Sequence, residues 1–206
     1  KQAWAAHSVV YFPDQPLDLD QLEAFTLQFG NFGHDPFIKA MKDRPHVLEL
    51  RREPDEKATN FGAGWHSDWS FQEAPPAATI LHSEVTPPVG GDTLYADGTR
   101  AYDDLSDEMK KIHPLVRTHP VTGKKALYIS PTYTIGIEGM ADADAQALLG
   151  ELYVHMVQDK YVYRHKWQQN MLTMWDNRCC LHLADGGYDG HLRVMHRTTV
   201  AGEVPS

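Results

Sequence analysis

The sequence is poor in cysteine and in positive charge. Only two of the 206 residues are cysteines, and these two, Cys179 and Cys180, are adjacent. Neighbouring Cα atoms lie ~3.8 Å apart, closer than the ~4.4–6.8 Å of a usual disulfide, so we expect reduced thiols. Nineteen Lys and Arg against 28 Asp and Glu give a formal charge of −9. Since no basic stripe stands out that would neutralise a phosphate backbone, we expect no nucleic-acid partner.

Long apolar runs are also missing. No run reaches the ~18–20 residues that a membrane-spanning helix needs, so we expect no membrane partner. The chain begins at Lys1 without a charged and then apolar leader. From this we expect a trimmed N-terminus, no secretory signal and a cytoplasmic location. Because domains commonly have ~100–200 residues, we expect a single domain over residues 1–206.

Short strands separated by proline and glycine turns dominate the pattern. Alternating and β-branched segments predict strands over residues 46–50, 77–82, 126–130, 161–165, 171–175 and 192–200. Apolar residues at spacings of three and four predict amphipathic helices over residues 17–30 and 142–158. The order shows no strand–helix–strand rhythm. We therefore expect a mainly β fold with flanking helices (α+β), a cupin-like jelly roll or double-stranded β-helix, with both helices on its outer surface.

Histidine is abundant, with twelve residues, which invites a search for a metal site. In the segment His66-Ser67-Asp68, the outer two residues would point to one face of a strand. A second polar cluster, 175–178, lies far along the chain and is followed by His182. Two histidines and one carboxylate form the facial triad of non-haem Fe(II) oxygenases, which leaves positions open for other ligands. A structural zinc site would fill all four of its positions with protein ligands.

Five motifs in order carry a resemblance to a known family. They are GWHSDWSF at 64–71, Pro-Pro at 75–76, GGDT at 90–93, WDNR at 175–178 and RVMHR at 193–197. Together they resemble the TauD/TfdA family of Fe(II)- and 2-oxoglutarate-dependent dioxygenases, over about residues 29–202. Thr93 follows His66 by 27 residues and Arg193 follows His182 by 11, as expected for the family.

The resemblance implies a role for each matching residue. His66, Asp68 and His182 would bind Fe(II) and form the catalytic centre. Thr93 and Arg193 would hold the distal carboxylate of the cosubstrate 2-oxoglutarate, and a guanidinium fork suits a carboxylate. The implied reaction is the hydroxylation by dioxygen of a small organic, anionic substrate, with release of succinate and CO2.

The substrate side is less defined. Arg197 shares a strand face with Arg193, so it would be free for an anionic group of the substrate or for the other carboxylate of the cosubstrate. His196 should face away from the lumen. Trp69 directly follows Asp68 and would shape the substrate side of the pocket.

Two positions differ from taurine-oxidising members of the family. Those members carry a His and an Asn where this sequence has Asp35 and Gly62. A carboxylate beside a sulfonate adds like-charge repulsion, which argues against taurine itself. Asp35 would either receive an ammonium group of the substrate or cap the turn before Pro36.

Two alternative functions remain open. A cupin-like metal-dependent hydrolase would use the same ligands with a metal-bound water, but it has no need of Thr93 and Arg193. A non-catalytic metal- or ligand-binding jelly roll would keep the barrel without turnover. The sequence also leaves open the substrate (sulfonate, sulfate ester, aryloxy acid or amino acid) and whether the chain forms a homo-oligomer.

The family also carries a longer stretch after the helix predicted over residues 106–112. Here the run His113 to Pro120 follows that helix directly. Because such stretches cover active sites and are mobile, we expect residues of a lid to be missing near 112–113. A chain that is continuous there would lack a lid and leave its iron more exposed.

Overall fold

Antiparallel strands make up most of the regular structure in the computed structural model, which describes residues 1–57, 59–112 and 115–206. In chain order the strands are β1 Val9–Phe12, β2 Leu48–Arg52, β3 Ala78–Val85, β4 Thr93–Asp97, β5 Val116–Thr118, β6 Lys125–Leu127, β7 Val162–His165, β8 Leu172–Asp176, β9 Cys180–Ala184 and β10 Arg193–Val200. The helices are α1 Gln2–His7, α2 Leu19–Leu27, α3 Gly98–Asp103, α4 Asp107–Ile112 and α5 Asp142–Met156, with a 3-10 turn at Asp159–Tyr161.

The strands form two main sheets. The larger sheet has the order β1-β8-β3-β10-β2, the smaller one has the order β7-β4-β9, and β5 pairs with β6 in a hairpin. Every strand pair is antiparallel. A bridge between His66 and His182 joins the chain around residue 66 to β9. The expectation of a mainly β fold with few helices is confirmed.

Residues that face each other across the two sheets form a central core. Leu81 and Met195 come from the larger sheet, Tyr95 and Cys180 come from the smaller one, and all four belong to one buried cluster with Trp175. Because side chains alternate along a strand, their neighbours must point outward from the sheet pair.

The outward-facing residues are covered by the two predicted helices. On the larger sheet, Ile80 and Met174 pack with Leu22 of α2. On the smaller sheet, Ala96 and Leu181 pack with apolar residues of α5, namely Leu149, Leu152 and Met156. Both helices therefore lie on outer sheet faces, as expected.

The boundaries of the elements show where sequence patterns suffice. Helix α2 begins with a capping box formed by Asp18 and Gln21, which explains its sharp start. Strand β9 is not among the predicted strands because its first three residues, including His182, are all buried, so polar alternation is lacking. The predicted lid position near 112–113 includes residue 113, which lies outside the described residues. None of the helices in the described ranges combines the length and apolar character that a membrane span requires.

Candidate active site

Three predicted ligands meet between the sheets. The backbones of His66 and His182 exchange two hydrogen bonds, of 3.0 and 2.8 Å, which hold the two imidazoles side by side. Each Nε2 atom lies 3.6 Å from Oδ1 of Asp68. All three residues are buried, and their ligand atoms lie within 4.8 Å of one another.

The polar atoms of this cluster suit a cation. His66 Nδ1 faces the Gly64 carbonyl at 2.7 Å, so in the neutral ring it carries the proton and Nε2 keeps a lone pair. That lone pair faces Asp68 Oδ1, which is buried and has no hydrogen-bond partner among the described residues. Two acceptors that face each other in a buried site need a positive ion between them. The donor set of two imidazoles and one carboxylate fits a divalent metal in a facial triad.

The charge states in the cluster also suit a metal. Burial alone would raise the pKa of Asp68, but Arg197, His182 and His66 outweigh it and hold the pKa well below its usual range. Burial, reinforced by His66, lowers the pKa of His182 well below its usual value. The carboxylate is therefore ionised and the imidazole is neutral, which are the forms that bind metal ions.

The backbone beside the ligands adopts two left-handed conformations. Gly62 has φ +77°, and a Cβ there would lie 3.2 Å from Cε1 of His66, so glycine avoids both strain and crowding. Trp69 has φ 47°, which is unfavourable for a bulky residue. Strain of this kind clusters at functional sites. Here it occurs directly after Asp68, and the Trp69 ring lies 5.4 Å from the guanidinium carbon of Arg197.

Several predicted residues share one small cavity. It has a volume of about 50 Å³ and also has apolar walls that include Leu50, Leu81 and Trp175. The predicted residues that line it are His66, Thr93, His182, Arg193 and Arg197. Segments that are far apart in the sequence therefore meet at the same place.

The two residues expected to bind the cosubstrate, Thr93 and Arg193, differ in their hydrogen bonding. The Thr93 hydroxyl accepts a hydrogen bond of 3.0 Å from the indole N–H of Trp167. Arg193 lies with its guanidinium 5.8 Å from the ring centre of Tyr188, and its buried Nε has no hydrogen-bond partner among the described residues. Burial lowers the pKa of Arg193. An enclosed guanidinium with an unpaired donor is suited to an incoming carboxylate.

Arg197 is not free, contrary to the expectation from the strand period. Its Nη2 lies 2.9 Å from Oδ2 of Asp68, and its Nη1 lies 3.9 Å from Oδ2 of Asp35. The period of two placed the side chain on the correct face, but it gave no information about the loop that faces it.

Asp35 caps its turn and also faces the cavity side. Its Oδ1 accepts hydrogen bonds from the backbone N–H groups of Phe37 and Ile38, at 2.9 and 2.8 Å. Its Oδ2 is buried and has no hydrogen-bond partner among the described residues. The turn-capping geometry therefore aims the second oxygen at Arg197.

Aromatic rings surround Trp69, which is itself only 1% exposed. Its ring centre lies 5.1 to 6.3 Å from those of Phe37, Phe61, Phe71 and Tyr133. The three phenylalanines are 50 to 66% exposed. We call Trp69 and these four neighbours the aromatic rim.

Sequence reasoning did not identify most of the rim or Trp167. The aromatic residues concentrated between Phe61 and Phe71 were an available signal for part of the rim. Tyr133 and Trp167 come from distant segments that carry no motif. Burial raises the pKa of Tyr133 to about 12, so its hydroxyl stays protonated at neutral pH.

Comparisons with known proteins agree with this site. The family model described as taurine catabolism dioxygenase TauD, TfdA family, matches residues 1–112 and 108–199. A Burkholderia sp. (strain RASC) α-ketoglutarate-dependent 2,4-dichlorophenoxyacetate dioxygenase is 35% identical, over 95% of this chain and 82% of the relative. A crystal structure of a taurine dioxygenase from Burkholderia xenovorans is similar with a TM-score of 0.87 and 33% identity, covering 99% of this chain and 80% of that one.

A further relative shows a difference in length. A Schizosaccharomyces pombe protein, assigned as an α-ketoglutarate-dependent sulfonate dioxygenase, is 33% identical over 98% of this chain. The chain spans 62% of the length of that relative, and the alignment has 241 positions against 206 residues here. The yeast protein therefore has residues within the aligned region that have no counterpart in this chain.

The family match covers most of the chain and includes every ligand segment. Neither the hydrolase nor the non-catalytic alternative is what these relatives support. The chain therefore belongs to the TauD/TfdA family of iron- and α-ketoglutarate-dependent dioxygenases.

Proposed function

We propose that this chain hydroxylates a small anionic substrate whose body is aromatic or otherwise bulky and apolar. The observation that carries the proposal is the position of the aromatic rim, whose central residue Trp69 both follows Asp68 and packs against Arg197. A substrate body would contact the rim while its anionic group approaches the guanidinium. Relatives named for aryloxy acids and sulfate esters act on compounds of this general kind.

The metal and cosubstrate roles follow from the cavity. His66, Asp68 and His182 would hold Fe(II), which, when bound, supplies oxygen activation and orients the keto acid. Thr93 and Arg193 would receive the distal carboxylate of 2-oxoglutarate. Trp167 positions the Thr93 hydroxyl by donating to it, which leaves the hydroxyl proton available for the cosubstrate. The apolar walls of the cavity would exclude water from the reacting groups.

Asp35 would tune the preference among anionic substrates. Its carboxylate offsets the positive charge of Arg197, so a small sulfonate that depends on charge alone would gain little. A larger substrate gains contact area with the rim, and aromatic side chains carry much of the binding energy in such contacts. We therefore propose aryloxy acids as better substrates than taurine.

We also propose a fold type, a domain organisation and a cellular location for the chain. The two antiparallel sheets, with the metal ligands between them, support a jelly roll, and residues 1–206 would form a single domain. Two buried free cysteines support a reducing, cytoplasmic environment. We also propose that the chain binds neither nucleic acid nor membranes. The matched segments overlap at residues 108–112, close to the proposed lid position.

Anaerobic titration tests the reaction class. Fe(II) and 2-oxoglutarate together should produce a visible metal-to-ligand charge-transfer band, and substrate under air should then yield succinate. The substrate proposal is tested by comparing phenoxyacetate, an aryl sulfate ester and taurine at equal concentration. Greater succinate formation with taurine would contradict the substrate proposal, whereas absence of the band and of succinate would contradict the reaction class.

A further inference from the structure

A second group of histidine and carboxylate side chains lies on the outer face of the larger sheet. His82 and Glu84 belong to β3, and His196 lies opposite His82 on β10. Ile80, two residues before His82, packs under α2, so this is the face turned away from the central core. The ligand atoms of the three residues lie within 4.8 Å of one another.

One carboxylate oxygen is shared by both imidazoles. Oε1 of Glu84 lies 2.9 Å from Nδ1 of His82 and 3.1 Å from Nδ1 of His196. The second nitrogen of each ring faces an acceptor elsewhere. Nε2 of His82 lies 2.7 Å from the Gln15 carbonyl, and Nε2 of His196 lies 3.8 Å from Oε2 of Glu49.

The contacts of His82 indicate where its proton lies. In a neutral ring, the Gln15 carbonyl at 2.7 Å favours the proton on Nε2 of His82, so its Nδ1 lone pair points at Oε1 of Glu84, which is also an acceptor. His196 can donate from Nδ1 to the same oxygen, because its Nε2 is 3.8 Å from Glu49, beyond hydrogen-bond length. A cation held by the three residues would remove the conflict at His82. A metal-binding histidine usually donates its other N–H to a carbonyl or carboxylate, which is the pattern seen at His82.

The backbone at Glu84 departs from the regular pairing of β3 with β10. Met195 is opposite Ser83 and Val194 is opposite Val85, so Glu84 is an extra residue in β3 without a partner on β10. This is a β-bulge, which bends the strand and redirects a side chain. Glu84 lies at this bulge, two residues after His82, and its carboxylate contacts both histidines.

We propose that His82, His196 and Glu84 bind a second divalent transition metal of the zinc class, separate from the catalytic iron. Two imidazole nitrogens and one carboxylate oxygen are a donor set that such ions accept. Metal–ligand lengths of ~2.0–2.2 Å place tetrahedral ligands ~3.3–3.6 Å apart. The two nitrogen–oxygen distances, 2.9 and 3.1 Å, are within a few tenths of an ångström of the lower value. The Glu84 side chain is 34% exposed, which gives the ion access from solvent.

The bound metal would join β3, the central strand of the larger sheet, to its neighbour β10. Strand β10 carries Arg193 and Arg197 on its other face, so the second metal would hold the strand that supplies both cavity arginines. The proposal does not depend on which substrate the enzyme oxidises.

Metal stoichiometry tests the proposal directly. In a variant with His66→Ala and His182→Ala, which removes the iron ligands, Zn²⁺ titrated against a chromophoric chelator should still bind at one equivalent. Adding His196→Gln should abolish that equivalent, whereas adding the control His7→Gln, at an exposed histidine, should retain it.

A second measurement keeps the iron ligands intact. The native chain should bind two equivalents of Co²⁺, and His196→Gln should bind one, with loss of the visible absorption that a tetrahedral Co²⁺ site gives. Circular dichroism checks that each variant is folded. If folded protein lacking the iron ligands binds no Zn²⁺, or if His196→Gln leaves both stoichiometries unchanged, the cluster holds only protons and the proposal is wrong.

Discussion

Arg193 and Arg197 enter the same cavity from one strand but have different surroundings. They lie four residues apart on one face of β10, which corresponds to about 13 Å along a strand. Arg197 lies between the carboxylates of Asp68 and Asp35. Arg193 contacts an aromatic ring, and its buried Nε has no hydrogen-bond partner among the described residues.

The two guanidinium charges are therefore suited to different tasks. The Arg193 guanidinium is buried without a carboxylate of the described residues beside it, so an incoming carboxylate would form a strong ion pair with it. At Arg197 the charge is already offset, and it also holds two protein carboxylates in place. The two arginines should therefore respond differently to the same substitution.

Arg197→Ala should have the largest effect on stability. Removing the guanidinium leaves Asp35 and Asp68 buried without their positive partner, and breaking a buried pair costs about 3–5 kcal/mol. Urea denaturation of the metal-free protein measures this loss. In the enzyme assay, the same variant should bind the primary substrate more weakly while the 2-oxoglutarate requirement changes less. A change below about 1 kcal/mol in the free energy of unfolding would show that Arg197 does not hold the two carboxylates.

Arg193→Ala should instead affect the cosubstrate. Loss of the charge-assisted pair should weaken 2-oxoglutarate binding by about 2–5 kcal/mol and leave the free energy of unfolding nearly unchanged. The charge-transfer band, followed as 2-oxoglutarate is added, measures this affinity. Arg193→Lys is the matched control and should fall between the two, because an ammonium group lacks the planar fork. Equal effects of Arg193→Ala and Arg197→Ala on both ligands would remove the distinction.

A neutral histidine, His165, also lies near Thr93, and its protonation should destabilise the folded protein. Burial lowers the pKa of His165 to about 4, and its ring centre lies 4.6 Å from that of Trp167, the donor to Thr93. The unfolded chain takes up the proton near pH 6.5, before the folded one does. Stability is therefore complete above pH 6.5 and falls between pH 6.5 and about 4 by up to about 3 kcal/mol.

Denaturation of the native chain and of His165→Gln at pH 7 and pH 4.5 isolates this contribution. The native chain should lose more stability than the variant over this interval. Parallel losses in the two proteins would show that other groups carry the acid sensitivity.

Asp35→Asn should reduce the difference between the two arginines by making Arg197 more like Arg193. Asparagine keeps the oxygen that caps the turn at Phe37 and Ile38 but removes the negative charge. Sulfonates and sulfate esters should then bind about 1–2 kcal/mol more tightly, because the repulsion between the Asp35 carboxylate and the substrate anion is removed. The KM for each class measures the change, and 2-oxoglutarate affinity should stay constant. Weaker binding of every anion would indicate that the carboxylate receives a donor of the substrate.

Phe71→Ala should give the smallest effect. The ring is 51% exposed and contacts Trp69 and Tyr133 at the rim. Aryloxy substrates should lose about 0.5–1.5 kcal/mol of binding free energy, whereas taurine should lose little. The ratio of kcat/KM for phenoxyacetate and taurine measures the selective part. An unchanged ratio would place the substrate body away from the rim.

The sequence predicts the residues at this cavity better than their partners. Thr93 and Arg193 could be located by motif and spacing, and the period of two correctly placed Arg197 on the same face. The pairing with Asp35 could not be anticipated, because a loop far away in the sequence supplies the carboxylate and no periodicity describes its path.

The same limit applies to the fold. Helices α2 and α5 are predictable because each buries one apolar stripe on a sheet face. Strand β9 is not predictable by alternation because it is buried on both sides at its start, near His182. Local sequence patterns therefore identify elements that have one buried face. They miss elements that other parts of the chain bury on both faces.

The construction of the aromatic rim has a consequence for how substrate range can diverge among descendants of this enzyme. Trp69 is constrained by its backbone conformation, its burial and its neighbour Asp68, so a replacement there would disturb the metal ligand. Phe37, Phe61 and Phe71 are at least half exposed and lie outside the two main sheets. Exposed positions tolerate substitution at small cost to stability. Selection can therefore alter these three rings one at a time while the oxidative chemistry is inherited unchanged.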